Sequence, residues 1–294
     1  MPSWRPGSFV WPTGQTKLVL VGGVGTRTGD AERSFGGLIR FLAERGGYDP
    51  GRDVLEASYA GADGSEGWQP QPYVSADTRR PLIDSAEAVA GSLDWYRARV
   101  PAGVRFWVLG YSLGGVAAID GATLAIVHDR VGWQGRLAGV ATFAAPVRGC
   151  SVGAFVNWAW LVTAEPDALG EAGRDLDLRW RDADEQQRLT RRAAFLRAAG
   201  AHVLTLADPD DAVVRPEEAL LPAPGESASQ LLVPTQRVRP GSMGHGAILD
   251  EPATWRRVLA TVGPQSDTRG PVVDPIEAEL QALKARLRSQ GRIK

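Results

Sequence analysis

Cysteine and histidine are scarce: the 294 residues include one cysteine and three histidines. A single cysteine excludes an internal disulfide, and with it the disulfide-held folds of small secreted proteins. No spacing of histidine, cysteine and carboxylate residues resembles a metal site. The glycines at positions 22, 23 and 25 do not form the G-x-G-x-x-G pattern of dinucleotide sites. We therefore expect a protein that uses no metal and no other cofactor.

Long apolar runs and an excess of charge of one sign are also missing. No apolar run approaches the roughly 18 to 20 residues that span a bilayer, and residues 1–16 contain no apolar core of a secretory signal. With 33 basic and 34 acidic residues interspersed along the chain, the formal net charge is −1, which does not favour a nucleic acid partner. These absences predict a cytoplasmic protein with no transmembrane segment and with a small molecule as its partner.

Strand patterns and amphipathic helix patterns alternate along most of the chain. The strand patterns lie at residues 17–23, 53–60, 104–110, 137–146 and 201–208. Strands that are apolar on both faces and alternate with helices predict a doubly wound, mostly parallel α/β sheet. The predicted domain covers residues 17–262 and follows an irregular arm at residues 1–16.

Residues 151–200 interrupt this alternation with helical patterns and no strand. The segment includes Trp158 and Trp160, two of the ten tryptophans of the chain. We interpret it as a helical cap insertion, in which the tryptophans either form the core of the cap or line a pocket for an apolar group. Trp68, in a long Gly- and Pro-rich loop at residues 61–73, is a further candidate for lining that pocket.

The C-terminal residues 263–294 form a linker followed by an amphipathic helix pattern. Apolar residues recur there at three- and four-residue steps, at Ile276, Leu280, Leu283 and Leu287. We expect this helix to dock on its own domain or on a second copy of the chain, and the second alternative would make a homodimer.

A serine stands where a predicted strand meets a predicted helix. Residues 110–114 read Gly-Tyr-Ser-Leu-Gly, a G-x-S-x-G pattern with the strand before it and the helix after it. In that context the pattern predicts a sharp turn that displays the Ser112 hydroxyl at the carboxyl edge of the sheet. The two glycines remove the Cβ atoms that would clash with neighbouring backbone. Ser112 is therefore the candidate nucleophile.

A serine nucleophile needs a histidine as base and a carboxylate that orients the histidine. His128 ends the helix that follows Ser112 and is several turns away from the serine. His202 begins a strand whose other end faces the site. His245, in a loop before the last helix of the domain, remains as the candidate base.

Three aspartates, Asp208, Asp210 and Asp211, follow the strand pattern at residues 201–208 and are candidates for the acid. Asp211 is followed by an apolar Ala-Val-Val stretch that can hold it against the sheet, whereas the other two are also explained as turn formers. We favour Asp211 and leave the other two open. Serine, acid and histidine then follow one another in the chain order of one particular fold.

These motifs together resemble the α/β-hydrolase fold and, within it, the lipases and esterases. The matching segments are LVLVGGVGT at residues 18–26 for the first strand and oxyanion loop, DAVV at 211–214 for the acid turn and HGAILDEP at 245–252 for the histidine turn. By the family pattern, the backbone N–H groups of Val24 and Leu113 bind the oxyanion. The family has a histidine where this chain has Gly22.

The resemblance implies a serine hydrolase that cleaves carboxylic esters, with Ser112, Asp211 and His245 as its catalytic residues. An apolar acyl group is expected from the tryptophans of the cap, and Tyr111, beside the serine, is a further candidate contact with the substrate. Two alternatives stay open. One is a thioesterase or acyltransferase that acts on carrier-bound acyl groups, and the other is a binding module that keeps the fold without catalysis.

Overall fold

A computed structural model describes residues 15–62, 70–151, 169–235 and 244–265. The strands are β1 (Thr16–Val21), β2 (Val54–Glu56), β3 (Arg105–Tyr111), β4 (Leu137–Phe143) and β5 (His202–Leu206). They form one sheet in the order β2-β1-β3-β4-β5, and every neighbouring pair is parallel. The prediction of an α/β fold with a parallel sheet is confirmed.

Helices connect the strands and cover both faces of the sheet. In chain order they are α1 (Asp30–Ser34), α2 (Gly36–Gly46), α3 (Pro50–Asp53), α4 (Leu82–Arg97), α5 (Leu113–His128), α6 (Arg130–Trp133), α7 (Gly170–Arg181), α8 (Ala183–Ala198), α9 (Pro216–Ala219) and α10 (Pro252–Val262). Short 3₁₀ turns at Ser75–Arg79, Ala228–Leu231 and Ala247–Asp250 lie in the loops.

Alternate side chains of β1 face opposite sides of the sheet and join two different cores. Leu18 and Leu20 pack in the same core as α2 and α10, whereas Val19 and Val21 pack in the core that contains α4 and α5. All four residues are buried. Burial on both faces explains why the sequence of β1 is a continuous apolar run.

The carboxyl ends of the strands meet at one edge of the sheet because all the strands are parallel. Val21 of β1 pairs with Gly110 of β3, and Tyr111 of β3 pairs with Phe143 of β4. Strands β4 and β5 also end together, with Phe143 beside Leu206. The segments that follow β1, β3 and β5 therefore leave the sheet side by side, and they carry Val24, Ser112 and Asp211 respectively.

The helical segment predicted at residues 151–200 includes helix α8. Ala193 and Leu196 of α8 are buried in the same core as α4 and α5. Helix α8 thus packs on the layer that covers the sheet. A cap formed by residues 151–200 stays a prediction.

Several predictions concern residues that the structure does not describe. Trp158 and Trp160 lie in the undescribed range 152–168, and Trp68 lies in the range 63–69. The predicted C-terminal amphipathic helix also lies outside the described residues. Among the helices of the described ranges, none is long and apolar enough to cross a membrane.

A buried ion pair lies at the start of β1, at the edge of the sheet opposite to the loops that carry Val24 and Asp211. Lys17 Nζ is 2.5 Å from Asp53 Oδ1, and neither side chain has exposed surface. Burial lowers the pKa of Lys17 to about 8, although the neighbouring Asp53 acts in the opposite direction. Asp53 also accepts hydrogen bonds from the Asp49 N–H at 2.9 Å and from the Arg52 guanidinium at 3.1 Å. Its carboxylate therefore joins the start of β1 to the segment that leads into β2.

Replacing Asp53 with alanine is expected to lower the free energy of unfolding by about 3–5 kcal/mol, because the buried Lys17 ammonium loses its carboxylate. Arg33→Ala is the matched control, since it removes an ion pair with Asp30 in which the arginine side chain is 77% exposed. That change is expected to cost less than about 1 kcal/mol. Urea unfolding measures both values, and equal losses would contradict the distinction between the two pairs.

Candidate active site

Ser112 occupies a strained turn between β3 and α5. Its φ is 54° and its ψ is −130°, a backbone conformation that residues other than glycine rarely adopt. The Ser112 N–H donates to the carbonyl of Phe143 at 3.0 Å, which ties the turn to β4. Helix α5 begins at the next residue, so the positive end of the helix dipole lies beside the serine.

Glycines on both sides of Ser112 allow this turn to form. A Cβ atom placed on Gly110 would lie 2.3 Å from the carbonyl oxygen of Gly114. A Cβ atom on Gly114 would lie 2.3 Å from the carbonyl oxygens of both Val21 and Gly22. These contacts are with backbone atoms that cannot rotate away, so both positions exclude a side chain.

His245 connects Ser112 to Asp211. Its Nε2 is 2.8 Å from the Ser112 Oγ, and its Nδ1 is 2.8 Å from Asp211 Oδ2. With the proton on Nδ1, the imidazole donates to the carboxylate and its Nε2 accepts the serine hydroxyl. All three residues are buried. The structure therefore brings together the three residues that the sequence singled out.

Asp211 is the aspartate of the three candidates that contacts His245. Its other oxygen, Oδ1, accepts the backbone N–H groups of Val213 and Val214 at 2.8 and 3.1 Å, which fixes the carboxylate in place. Asp208 is buried too, but it accepts the Asp210 N–H at 3.0 Å and the Thr235 hydroxyl. Asp210 is exposed.

The other two histidines lie away from the serine. His128 ends α5 and is 3.8 Å from Glu87 on the surface. His202 begins β5, where its ring stacks on Trp107 with the centroids 6.0 Å apart. Their positions agree with the expectation that neither reaches Ser112.

Tyr111 supports the histidine loop. Its hydroxyl donates to the carbonyl oxygen of His245 at 3.0 Å, and the two rings lie 5.2 Å apart. These two contacts attach Tyr111 to the loop that carries His245. A contact with the substrate remains a prediction.

The loop after β1 passes beside the serine. A Cβ atom on Gly23 would lie 3.2 Å from the Cβ of Ser112. The loop is therefore close to the serine at Gly23, and Val24 is the next residue. Leu113 is the first residue of α5, where the helix offers no acceptor for its N–H. Among the described residues, neither the Val24 nor the Leu113 N–H donates to a loop carbonyl or a side chain. Within the described ranges both N–H groups are thus available, and their role as oxyanion donors stays a prediction.

Three hydroxyl groups that the sequence analysis did not identify hold this loop. The Tyr59 hydroxyl donates to the Gly22 carbonyl at 2.6 Å, and the Gly25 N–H donates to Thr78 Oγ1 at 2.9 Å. The Thr26 hydroxyl donates to the carbonyl of Gly23 at 2.7 Å. Burial holds the pKa of Tyr59 well above its usual value, so this donor keeps its proton. No sequence pattern around Tyr59, Thr78 or Thr26 indicated these contacts.

Cys150 is buried, and burial raises the pKa of its thiol to about 12, so the reactive thiolate is not formed near neutral pH. No group of three or more histidine, cysteine or carboxylate side chains within the described ranges is arranged to hold a metal ion.

The parallel sheet, the strained serine turn between a strand and a helix, and the chain order of Ser112, Asp211 and His245 occur together in one architecture. The fold is that of the α/β hydrolases. No family model matches the chain. No curated protein matches it either.

Several solved structures of lipolytic enzymes show a distant likeness. One match, from the metagenome-derived lipolytic enzymes LipS and LipT, has 15% identity and a TM-score of 0.48, and covers 88% of this chain and 99% of that chain. Naproxen esterase from Bacillus subtilis has 16% identity and a TM-score of 0.43, and covers 86% of this chain and 85% of its own. Phospholipase PlaB from Legionella pneumophila has 16% identity and a TM-score of 0.47 over 67% of this chain, which spans 38% of that longer protein. Likenesses at this distance do not assign a reaction to the chain.

The Gly114→Ala variant is expected to lose about 1–3 kcal/mol of unfolding free energy or more, because its Cβ would meet two carbonyl oxygens. Gly91→Ala is the control: Gly91 also lies in a helix, α4, but a Cβ there has no atom within 4 Å. It is expected to stabilise the protein by about 0.5–1 kcal/mol through the higher helix propensity of alanine. Thermal unfolding compares them, and a neutral Gly114→Ala would contradict the close packing of α5 on β1.

Proposed function

We propose that the chain is a serine hydrolase that cleaves carboxylic esters through Ser112, His245 and Asp211. One observation carries the proposal: two hydrogen bonds of 2.8 Å link Asp211 to His245 and His245 to Ser112. A serine hydroxyl is a weak nucleophile until a base accepts its proton, and a histidine oriented by a carboxylate is a base suited to that step.

In the proposed acylation step, Ser112 Oγ attacks the ester carbonyl carbon while its proton moves to His245 Nε2. The carboxylate of Asp211 stabilises the imidazolium through the Nδ1–H bond. The tetrahedral intermediate then expels the alkoxide, which takes the proton from Nε2 and leaves as the alcohol. Water attacks the resulting acyl-enzyme in the same manner, and a carboxylic acid and the free Ser112 hydroxyl are the products.

The negative charge on the carbonyl oxygen needs donors that are already in place. We assign this role to the backbone N–H groups of Val24 and Leu113, which border Ser112 on two sides. Fixed donors at the site of developing charge are worth about 10²- to 10³-fold in rate each, because no solvent has to reorganise around the intermediate. The N-terminus of α5 adds its dipole in the same direction.

We further propose that the acyl group is apolar. Support comes from Trp158 and Trp160 in the sequence segment that precedes α7, and from Val24, whose half-buried side chain packs against the core beside the serine. A thioester on a carrier would react by the same steps, since the triad does not distinguish the leaving atom. Matched oxygen esters and thioesters of one acyl group, compared by kcat/KM, separate the esterase from the thioesterase.

Hydrolysis of p-nitrophenyl esters from acetate to palmitate tests the reaction. We expect turnover that Ser112→Ala lowers by at least about 10³-fold, because the nucleophile is removed while the oxyanion donors remain. An optimum at longer acyl chains supports the apolar pocket. Turnover that survives Ser112→Ala would contradict the assignment, and a complete lack of turnover with esters and thioesters would favour a binding module.

The choice of acid is tested by replacing the aspartates one at a time with asparagine. Asp211→Asn is expected to lower kcat by about 10³- to 10⁴-fold, because asparagine no longer holds the imidazole in the required tautomer. Asp210→Asn is the matched control in the same turn and is expected to stay within about threefold of the wild type, as exposed substitutions usually do. A larger loss in the control than in Asp211→Asn would contradict the assignment of the acid.

A further inference from the structure

One peptide unit beside the serine has its carbonyl held by a side chain. The peptide between Gly23 and Val24 contains the Val24 N–H, the proposed oxyanion donor. Its carbonyl oxygen, on Gly23, accepts the Thr26 hydroxyl at 2.7 Å. The backbone N–H of Thr26 approaches the same oxygen at 3.4 Å.

A peptide bond is planar and trans, so its C=O and N–H point in opposite directions. A group that fixes the carbonyl of Gly23 therefore also fixes the direction of the Val24 N–H. Hydrogen bonding at the carbonyl additionally polarises the peptide and strengthens the N–H as a donor. The Thr26 hydroxyl acts on the far side of the peptide from the site where the oxyanion would form.

Space for the Thr26 hydroxyl depends on Gly22. A Cβ atom on Gly22 would lie 2.6 Å from Thr26 Oγ1 and 3.2 Å from the Tyr73 hydroxyl. Any side chain at position 22, including the histidine of the family pattern, would therefore displace the Thr26 hydroxyl. The hydrogen bond from Thr26 therefore depends on glycine, instead of the family's histidine, at position 22.

We propose that Thr26 is a positioning residue that orients the Val24 N–H toward the oxyanion. The inference rests on the proposed function, because it concerns the same Ser112 site. Thr26 touches no reacting atom. It acts through the peptide whose carbonyl it binds.

The environment of Thr26 also holds its hydroxyl in place. The Tyr73 hydroxyl lies 3.3 Å from Thr26 Oγ1 and donates to the Glu56 carboxylate at 3.3 Å. Glu56 in turn accepts the N–H groups of Gly29 and Ala31 at 2.6 and 3.2 Å. These hydrogen bonds join the loop to Tyr73 and to Glu56 of β2. The Thr26 side chain therefore has little freedom to move away from the Gly23 carbonyl.

The test compares Thr26→Val with Thr26→Ser in the full chain. Valine keeps the branched shape without the hydroxyl, and serine restores the hydroxyl. We expect Thr26→Val to lower kcat for p-nitrophenyl esters by about 5- to 50-fold, less than the loss of a whole donor, with KM within about twofold of the wild type. Thr26→Ser is expected to recover most of the activity.

Binding of phenylboronic acid supplies a second readout that a purely structural role would not change. Ser112 Oγ adds to the trigonal boron while its proton moves to His245 Nε2, and the tetrahedral adduct places one of the boron hydroxyl groups where the oxyanion would lie. The dissociation constant, measured by calorimetry, is expected to rise in Thr26→Val by the same factor as kcat falls. Transition-state mimics report on donors that act in the transition state and not on ground-state binding.

Thr28→Val is the matched control. Thr28 lies in the same loop, and its Oγ1 accepts the Tyr73 N–H at 2.8 Å, away from Gly23. It is expected to keep kcat and boronate affinity near the wild-type values. Equal losses in Thr28→Val and Thr26→Val, or no recovery in Thr26→Ser, would overturn the proposal because the effect would then be a general loosening of the loop.

The measurements distinguish an error in the role of Thr26 from an error in the proposed ester hydrolysis at Ser112. If turnover requires Ser112 but Thr26→Val stays within about twofold of the wild type in both kcat and boronate affinity, the role of Thr26 alone is overturned. If Ser112→Ala has no effect on turnover, or if no ester is cleaved, the proposed function is overturned. Boronate affinity then still decides whether Thr26 orients the donor at Ser112.

Discussion

The close contact between the first turn of α5 and the end of β1 is the constraint on which the site depends. Gly114 brings the helix backbone against the carbonyls of Val21 and Gly22. This contact leaves room for one residue between β3 and α5, and that residue, Ser112, takes the positive φ that the short connection requires. The same contact brings the loop after β1 alongside the serine. Ser112 and the loop after β1 are therefore placed by the same backbone contact.

Polar groups at the two ends of β1 have different kinds of partner, namely a charged group at its start and hydroxyl groups at its end. At its start, the charges of Lys17 and Asp53 are buried together. At its end, hydroxyl groups hold the part of the loop nearest the serine, and neutral groups cost less to bury than charges do. The Tyr59, Thr26 and Thr78 hydroxyls thereby fix backbone groups of residues 22–25 without placing a charge there. The Glu56 carboxylate binds the more distant N–H groups of Gly29 and Ala31.

The sequence was sufficient for features that depend on local backbone geometry or on chain order. The apolar runs predicted a parallel sheet because burial on both faces leaves no polar alternation, and the glycines around Ser112 predicted the strained turn. His245 followed by elimination from three histidines. The sequence favoured Asp211 and left Asp208 open, and in the structure the two buried carboxylates differ in their hydrogen-bond partners, since Asp211 contacts His245 and Asp208 binds Thr235.

The support of the oxyanion loop could not be read from the sequence. Tyr59 and Thr78 are distant from that loop along the chain, and nothing in their local patterns points to a partner. The packing of helix α8 could not be read from the sequence either, because its composition is highly charged and only three of its residues, Leu189, Ala193 and Leu196, are buried. Long-range packing decides both cases.

The space at Gly22 has a consequence for how this chain and its relatives can vary. The volume that a side chain at position 22 would need is the volume that the Thr26 hydroxyl occupies. The two positions therefore constrain each other: a side chain at position 22 would clash with the Thr26 hydroxyl. Without that hydroxyl, the Gly23 carbonyl would keep only the longer contact from the Thr26 N–H at 3.4 Å.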